Sequence, residues 1–216
     1  MDDSDTKTKG LLRLMEHRRT HPKTQPPDEE RSRLPPGQRL AQGFPVLDLG
    51  IHPVFDPKTW RLKAGGLAAR PLEWNWDEFA ALPKTVLAAD FHCVTGWSKF
   101  DVAWGGVLFS HIAALVEPLP VAAHVVQESA DGYTTNVPLK DMLGPDVLLA
   151  YELDGKPLPL EHGGPVRMVV PRLYAWKSAK FLTGLRFVEH DDPGYWERRG
   201  YHNEGDPWKS QRYRGD

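Results

Sequence analysis

The chain has 216 residues, 40% of them hydrophobic, and a formal net charge of −2. That length and apolar content suit one cored domain, and the charge lacks the basic excess that general nucleic-acid binding requires. Its single cysteine, Cys93, excludes an internal disulfide and a four-thiolate zinc site. No stretch has the length and apolarity of a membrane span. The Arg18-Arg19 pair is followed by Pro22, Pro26 and Pro27 instead of the apolar run of an export signal. The expectation is a soluble cytoplasmic protein.

Residues 1–38 are rich in charge, Pro, Thr and Gln, and read as a flexible arm that buries too little to offset its ordering entropy. Leu11, Leu12, Leu14 and Met15 would make one short amphipathic turn within it. Residues 39–216 are expected to form the folded domain, ending in an aromatic, polar tail. TWRLKA alternates Trp60, Leu62 and Ala64 on one face, the pattern of a half-buried strand. NWDEFAAL opens a helix, with Asn75 and Glu78 at the spacing of a capping box. TVLAADFHC reads as a strand that delivers Cys93 at its end. GGVLFSHIAALVEP predicts a second helix with Leu108, Ile112, Leu115 and Val116 on one face and Pro118 as its stop.

AAHVVQES and GYTTNVPL follow as extended segments. DVLLAYELDGKPLPL carries an Asp154-Gly155 hairpin signal. VRMVVP and AKFLTGLRFVEH complete the strands, the second with Leu185 and Phe187 alternating. Many short strands and a few helices predict an α+β fold.

Three stretches carry chemistry. Cys93 sits where a strand meets the Thr95-Gly96 loop, with His92 beside it and Trp97, Asp101 and Trp104 following as candidate pocket walls. A lone cysteine is also a small buried hydrophobe. Neighbours on a strand face opposite ways, so His92 is poorly placed to activate it, whereas a soft metal would hold the thiolate without a base. EHGGPVR offers His162 and Arg167 around glycines that let backbone amides approach an anion; it also reads as a plain glycine turn. WKSAK sets Lys177, Ser178 and Lys180 before a strand, again suited to phosphate or to an ordinary charged strand start.

In this order, FHCVTGWSKFDVAWGGV, AHVVQES, GYTTNVPL and LLAYELDGKPLPLEHGGPVRMVVPRLYAWKSAKFL resemble the sulfite-oxidase family of molybdopterin oxidoreductases, and most closely its short cytoplasmic-type members, over roughly residues 38–213. The resemblance implies an α+β domain with several short sheets around one molybdopterin. It implies a molybdenum held by the pterin dithiolene and by Cys93. Ser129, His162, Arg167, Ser178, Ala179 and Lys180 would contact the pterin or its phosphate, with Thr95 close to the metal. The activity implied is oxygen-atom transfer to or from a small sulfoxide, N-oxide or oxyanion, served by an electron-transfer partner. CVTGWSKF has no arginine just after its cysteine, which speaks against sulfite. His162 stands where the related methionine-sulfoxide reductases have asparagine. The rivals are a cysteine-nucleophile hydrolase or transferase, with His92 or His162 as base, and a metal-free binding module on the same fold.

Overall fold

The computed structural model describes residues 32–216. The predicted arm and its amphipathic turn lie outside the described residues, except for its last few positions. The described chain is α+β, with mixed sheets and few helices.

One sheet has five strands in the order β3-β2-β11-β6-β7. These are β2 (Arg61–Gly66), β3 (Leu72–Asn75), β6 (His124–Ser129), β7 (Thr134–Pro138) and β11 (Leu182–Val188). β2 and β11 run parallel and the other neighbours antiparallel. Leu62 and Ala64 face the core as their alternation predicts, with Leu185 and Phe187 beside them. Helix α1 (Trp76–Ala80) follows β3. Its capping box is formed: the Glu78 amide donates to Asn75 Oδ1 at 3.0 Å and the Asn75 amide to Glu78 Oε2 at 2.9 Å.

The other sheet has six strands: β1 (Arg39–Leu40), β4 (Lys84–Cys93), β5 (Trp97–Leu108), β8 (Leu148–Leu153), β9 (Lys156–Pro157) and β10 (Arg167–Val169). β5 is its spine. β4 pairs antiparallel along it, β1 runs parallel to its first residues, and β8 runs antiparallel to its last. β8 and β9 join through Asp154 and Gly155, at φ 52° and 73°, the two left-handed positions that a tight hairpin needs.

Two sequence expectations change. The predicted helix over Gly105–Pro118 begins only at Phe109, because Gly105 to Leu108 close strand β5. Gly106 lies against the backbone of Leu149 and Ala150, an approach open only to a residue without Cβ. Helix α2 (Phe109–Val116) therefore buries Phe109, Ile112, Ala113 and Val116, while Leu108 and Leu115 are only partly buried. It ends through Glu117 at φ 53°, since the residue before Pro118 is kept out of helical conformation. β5 itself has no clear alternation, because Trp97 and Ser98 are both buried and so are all four residues from Trp104 to Val107. A last single-turn helix, α3 (Leu139–Met142), starts directly after Pro138.

Candidate functional site

The site is built around the hairpin β4–β5. Cys93 ends β4 opposite Trp97, and the turn between them closes with the Gly96 amide donating to the Cys93 carbonyl at 3.0 Å. Gly96 takes φ 93°, which suits glycine. β1 braces the turn from one side: the Arg39 amide donates to the Gly96 carbonyl and Gln38 Nε2 to the Cys93 carbonyl, both at 3.1 Å. From the tail, Arg212 Nη1 donates to the Val94 carbonyl and Nη2 to the Pro36 carbonyl. The thiol is thus held on a rigid strand end, only 7% exposed.

Thr95 Oγ1 lies 3.2 Å from Cys93 Sγ. Burial pushes the thiol up from its ordinary pKa, against the pull of Thr95 and of the Arg212 and Lys180 charges. His92 points away, as alternation demands, with Nδ1 2.8 Å from Ser98 Oγ. Burial also lowers its pKa.

Beside the thiol lies an aromatic cluster. Phe91, Trp97 and Trp104 belong to one buried cluster with Cys93. Phe44 enters it edge-on, 5.3 Å from the Phe91 ring and 6.1 Å from Trp97, and stacks on His162 at 4.5 Å. Arg167, on β10, lies over Phe91 and Trp104 at 5.0 and 5.5 Å. Its guanidinium donates to the carbonyls of Met168, His162 and Ser178 and meets no carboxylate among the described residues. Burial lowers its pKa to about 10.

Lys180 flanks the same place. Burial foremost, with Arg167 adding repulsion, lowers its pKa to about 8. Its ammonium donates to the Glu161 carbonyl at 2.7 Å and lies 3.7 Å from Asp48. Burial works to raise the Asp48 carboxyl, but His52, the Gly50 amide and Lys180 together hold it below its ordinary value. Burial, then Lys180 and Arg167, depress the His162 pKa. Gly163 sits against Lys180 at φ 104°, where a Cβ would come 2.7 Å from Lys180 Cγ.

The remaining candidates lie at the end of β6 and just before its neighbour β11. Ser129 ends β6 beside Phe181, the residue after Lys180, since the Ala130 amide donates to the Phe181 carbonyl; its hydroxyl is buried without a partner. Ser178 Oγ accepts from the Val170 amide at 2.9 Å. The Ala179 amide donates to Gln127 Oε1 at 2.9 Å, so that N–H is already engaged within the fold. Trp97 and Trp104 pack in the cluster beside the thiol. Asp101 does not: it lies on the exposed surface in an ion pair with Arg33. Sequence reasoning missed Phe44, Asp48, Arg39 and Arg212. Each reaches the thiol region by chain folding, Arg212 across 118 positions to Val94, and no local pattern marks them.

These residues fit a cofactor with a soft metal and an anionic end. The thiol is free and sits at the end of β4. A buried arginine without a counter-ion is costly unless an anion joins it. The indole N–H groups of Trp97 and Trp104 and the Ser129 hydroxyl are buried donors left unpaired.

Comparison with known proteins agrees. Residues 49–196 match the model of the oxidoreductase molybdopterin binding domain. The chain belongs to this family. Among its relatives is the uncharacterized oxidoreductase YuiH of Bacillus subtilis, 43% identical over 189 residues, which cover 87% of this chain and 96% of that protein. Mitochondrial sulfite oxidase of Mus musculus is 28% identical over 203 residues, covering 77% of this chain and 37% of that one. The sulfane dehydrogenase SoxCD of Paracoccus pantotrophus shares the fold, with a TM-score of 0.61 at 19% identity, over 84% of this chain and 56% of that one. The chain thus spans nearly all of YuiH but about half or less of the other two. The resemblance to the sulfite-oxidase family and the sulfite-oxidase-type α+β fold hold. This is a family of molybdopterin-dependent oxidoreductases, and molybdenum-molybdopterin is its cofactor. Among the described residues, no helix is long and apolar enough to cross a membrane.

Proposed function

We propose that this chain moves an oxygen atom to or from a small sulfoxide, N-oxide or oxyanion, with Cys93 as the protein's ligand to molybdenum. One observation carries the reading. The buried thiol belongs to an aromatic cluster over which lies a buried arginine that has no carboxylate partner among the described residues. When bound, the cofactor supplies a two-electron centre capable of oxygen-atom exchange.

The chain's own residues do the rest. Cys93 gives up its proton to become the thiolate ligand; its buried position makes that proton loss unfavourable until a metal compensates it. Arg167 and Lys180 neutralise the anionic end of the cofactor, with His162, Ser129 and the Ser178–Lys180 segment around it. Phe44, Phe91, Trp97 and Trp104 pack beside the thiol and would keep water from it. Thr95 holds a hydroxyl beside the sulfur, placed to tune the ligand or to meet a substrate oxygen. An electron-transfer partner would exchange electrons with the bound cofactor between turnovers. A lone unpaired cysteine suits the reducing cytoplasm.

The nucleophile reading lacks its base. Thr95 is the one side chain hydrogen-bonded to the Cys93 thiol among the described residues, and His92 is committed to Ser98. The test is molybdenum per chain by elemental mass spectrometry, in wild type and in Cys93→Ser. The expected result is about one metal per wild-type chain, with metal and activity lost together in a variant that stays folded. A fully active Cys93→Ser protein, or an active wild type without metal, overturns the reading.

A further inference from the structure

We propose that Gln38 is a positioning residue for the metal ligand, and that a line of hydrogen bonds from His92 through Ser98 to Gln38 holds the Cys93 carbonyl and so sets the direction of its thiol. The brace is a property of the chain alone; its use in supporting a metal ligand rests on the oxygen-transfer reading above.

His92 and Ser98 are 4% and 0% exposed, polar side chains that the proposed chemistry leaves unused. They face each other across the β4–β5 hairpin. Buried polar groups persist when they are hydrogen-bonded, and here each bond has one possible direction. The Cys93 carbonyl can only accept, so Gln38 turns its Nε2 towards it, at 3.1 Å. Gln38 Oε1 then faces Ser98, whose hydroxyl donates to it at 3.4 Å, the loosest link of the three. With that proton spent, Ser98 Oγ accepts from His92 Nδ1 at 2.8 Å. One backbone carbonyl thereby assigns the Gln38 amide, the Ser98 hydroxyl and the Nδ1–H tautomer of His92.

The Cys93 carbonyl has two lone pairs. One takes the Gly96 amide at 3.0 Å, the turn's own bond. Gln38 fills the other from 55 positions away. The next carbonyl, Val94, is held by Arg212. Strand pairing fixes the backbone up to Cys93, and these two carbonyls fix it beyond. The Cα–Cβ bond of Cys93 then has a set direction, and χ1 alone turns the sulfur. A ligand oriented before the metal arrives has less freedom to lose on binding, which is what partners outside a metal's own ligands supply. Strand alternation turns His92 away from the thiol, so it acts only through Ser98 and Gln38.

The test compares the purified full chain with Gln38→Leu, Ser98→Ala and Ser98→Thr. In the cofactor-free form, amide hydrogen exchange over residues 93–97 is read by mass spectrometry. The expected result is exchange about three- to tenfold faster in Gln38→Leu and Ser98→Ala, the scale of one lost hydrogen bond, and near wild type in Ser98→Thr, which keeps the hydroxyl. Nitrogen NMR of labelled histidine at pH 8 should show wild-type His92 as the Nδ1–H tautomer. In the metal-loaded form, partly reduced with dithionite to its paramagnetic state, β-deuterated cysteine marks Cys93 alone, since the sequence has no other. Hyperfine couplings of those β-hydrogens depend on the torsion that points the sulfur. They should shift in Gln38→Leu and Ser98→Ala and stay in place in Ser98→Thr. Gln38 is only half-buried, so Gln38→Leu decides the matter if Ser98→Ala does not fold. Unchanged exchange in Gln38→Leu, or His92 as the Nε2–H tautomer, overturns the brace. Faster exchange with unchanged couplings makes Gln38 a stabilising residue and overturns its positioning role. A wild-type metal signal insensitive to the deuterium rejects Cys93 as ligand and the positioning role with it, while exchange and tautomer still decide the brace.

Discussion

Lys177 and Glu197 form an ion pair at 2.7 Å with side chains 0% and 1% exposed. Burial acts first to lower the Lys177 pKa, and Glu197 opposes it. Lys177 Nζ also donates to the Asn136 carbonyl at 2.8 Å, while Glu197 Oε1 accepts from Thr135 Oγ1 and Trp176 Nε1, both at 2.9 Å. Replacing Lys177 by Met keeps most of the volume but strands a buried carboxylate, whose second oxygen has no partner even now. Such one-sided removal costs about 3–5 kcal/mol, whereas removing both charges is close to neutral. Lys177→Met should therefore lose about that much in urea unfolding followed by tryptophan fluorescence, and Lys177→Met with Glu197→Gln should recover most of it. The coupling in this cycle is the measured quantity. Because Ser178 and Lys180 follow Lys177 in the chain, the single variant should also retain less cofactor. A single variant within about 1 kcal/mol of wild type, with additive effects in the double, would show that this pair does not anchor the segment.

Lys180 has a folded pKa near 8 against an ordinary 10.5. The unfolded chain thus binds more protons between those values, so the cost of keeping this lysine charged is present below pH 8 and relieved as pH rises towards 10.5. Stability of the cofactor-free chain should rise across that window, while retention of an anionic cofactor should fall above about pH 8, and Lys180→Gln should flatten both profiles. Arg167→Ala should lower molybdenum per chain by a factor matching about 1–3 kcal/mol, with a much smaller change in the melting temperature of cofactor-free protein; the reverse pattern would make the arginine structural. Gly163→Ala meets both φ 104° and Lys180 Cγ, and should cost about 1–3 kcal/mol in stability and loosen cofactor retention with it.

Where the local code was sufficient, the sequence was readable. Trp60, Leu62 and Ala64 alternate, Asn75 and Glu78 cap, and Asp154-Gly155 turns, and each does so in the fold. Long-range packing defeated the same reasoning at β5. Gly105 and Gly106 sit in a strand because β8 passes against them, and that neighbour lies more than forty positions away. The cysteine turn and the HGGPVR and WKSAK stretches were visible as motifs, and the fold gathers them. Arg39, Phe44, Asp48 and Arg212 were not. A single arginine in a polar tail looks like any solvated charge until the tail closes onto Val94.

The balance of charge around the thiol limits what it can be. A nucleophilic cysteine needs a neighbour that removes its proton or a field that lowers its pKa enough at working pH. Here burial outweighs the favourable pull of Arg212 and Lys180, and the thiol is pushed up. The cations themselves are misplaced for a hydrolase, because Arg167 is buried without a carboxylate partner among the described residues and Lys180 adds a second charge beside it. Both anomalies end with one change. A ligand that carries a metal for the sulfur and a negative charge for the arginine would displace the thiol proton and supply the counter-ion that Arg167 lacks among the described residues. The same ligand would raise the pKa of Lys180 and lower that of Cys93, so its binding should exchange protons with solvent, with the Lys180 share absent in Lys180→Gln. Calorimetry of cofactor binding in two buffers of different ionisation enthalpy reads that exchange directly, and a proton count unaffected by Lys180→Gln at pH 8 would separate the lysine from the anion.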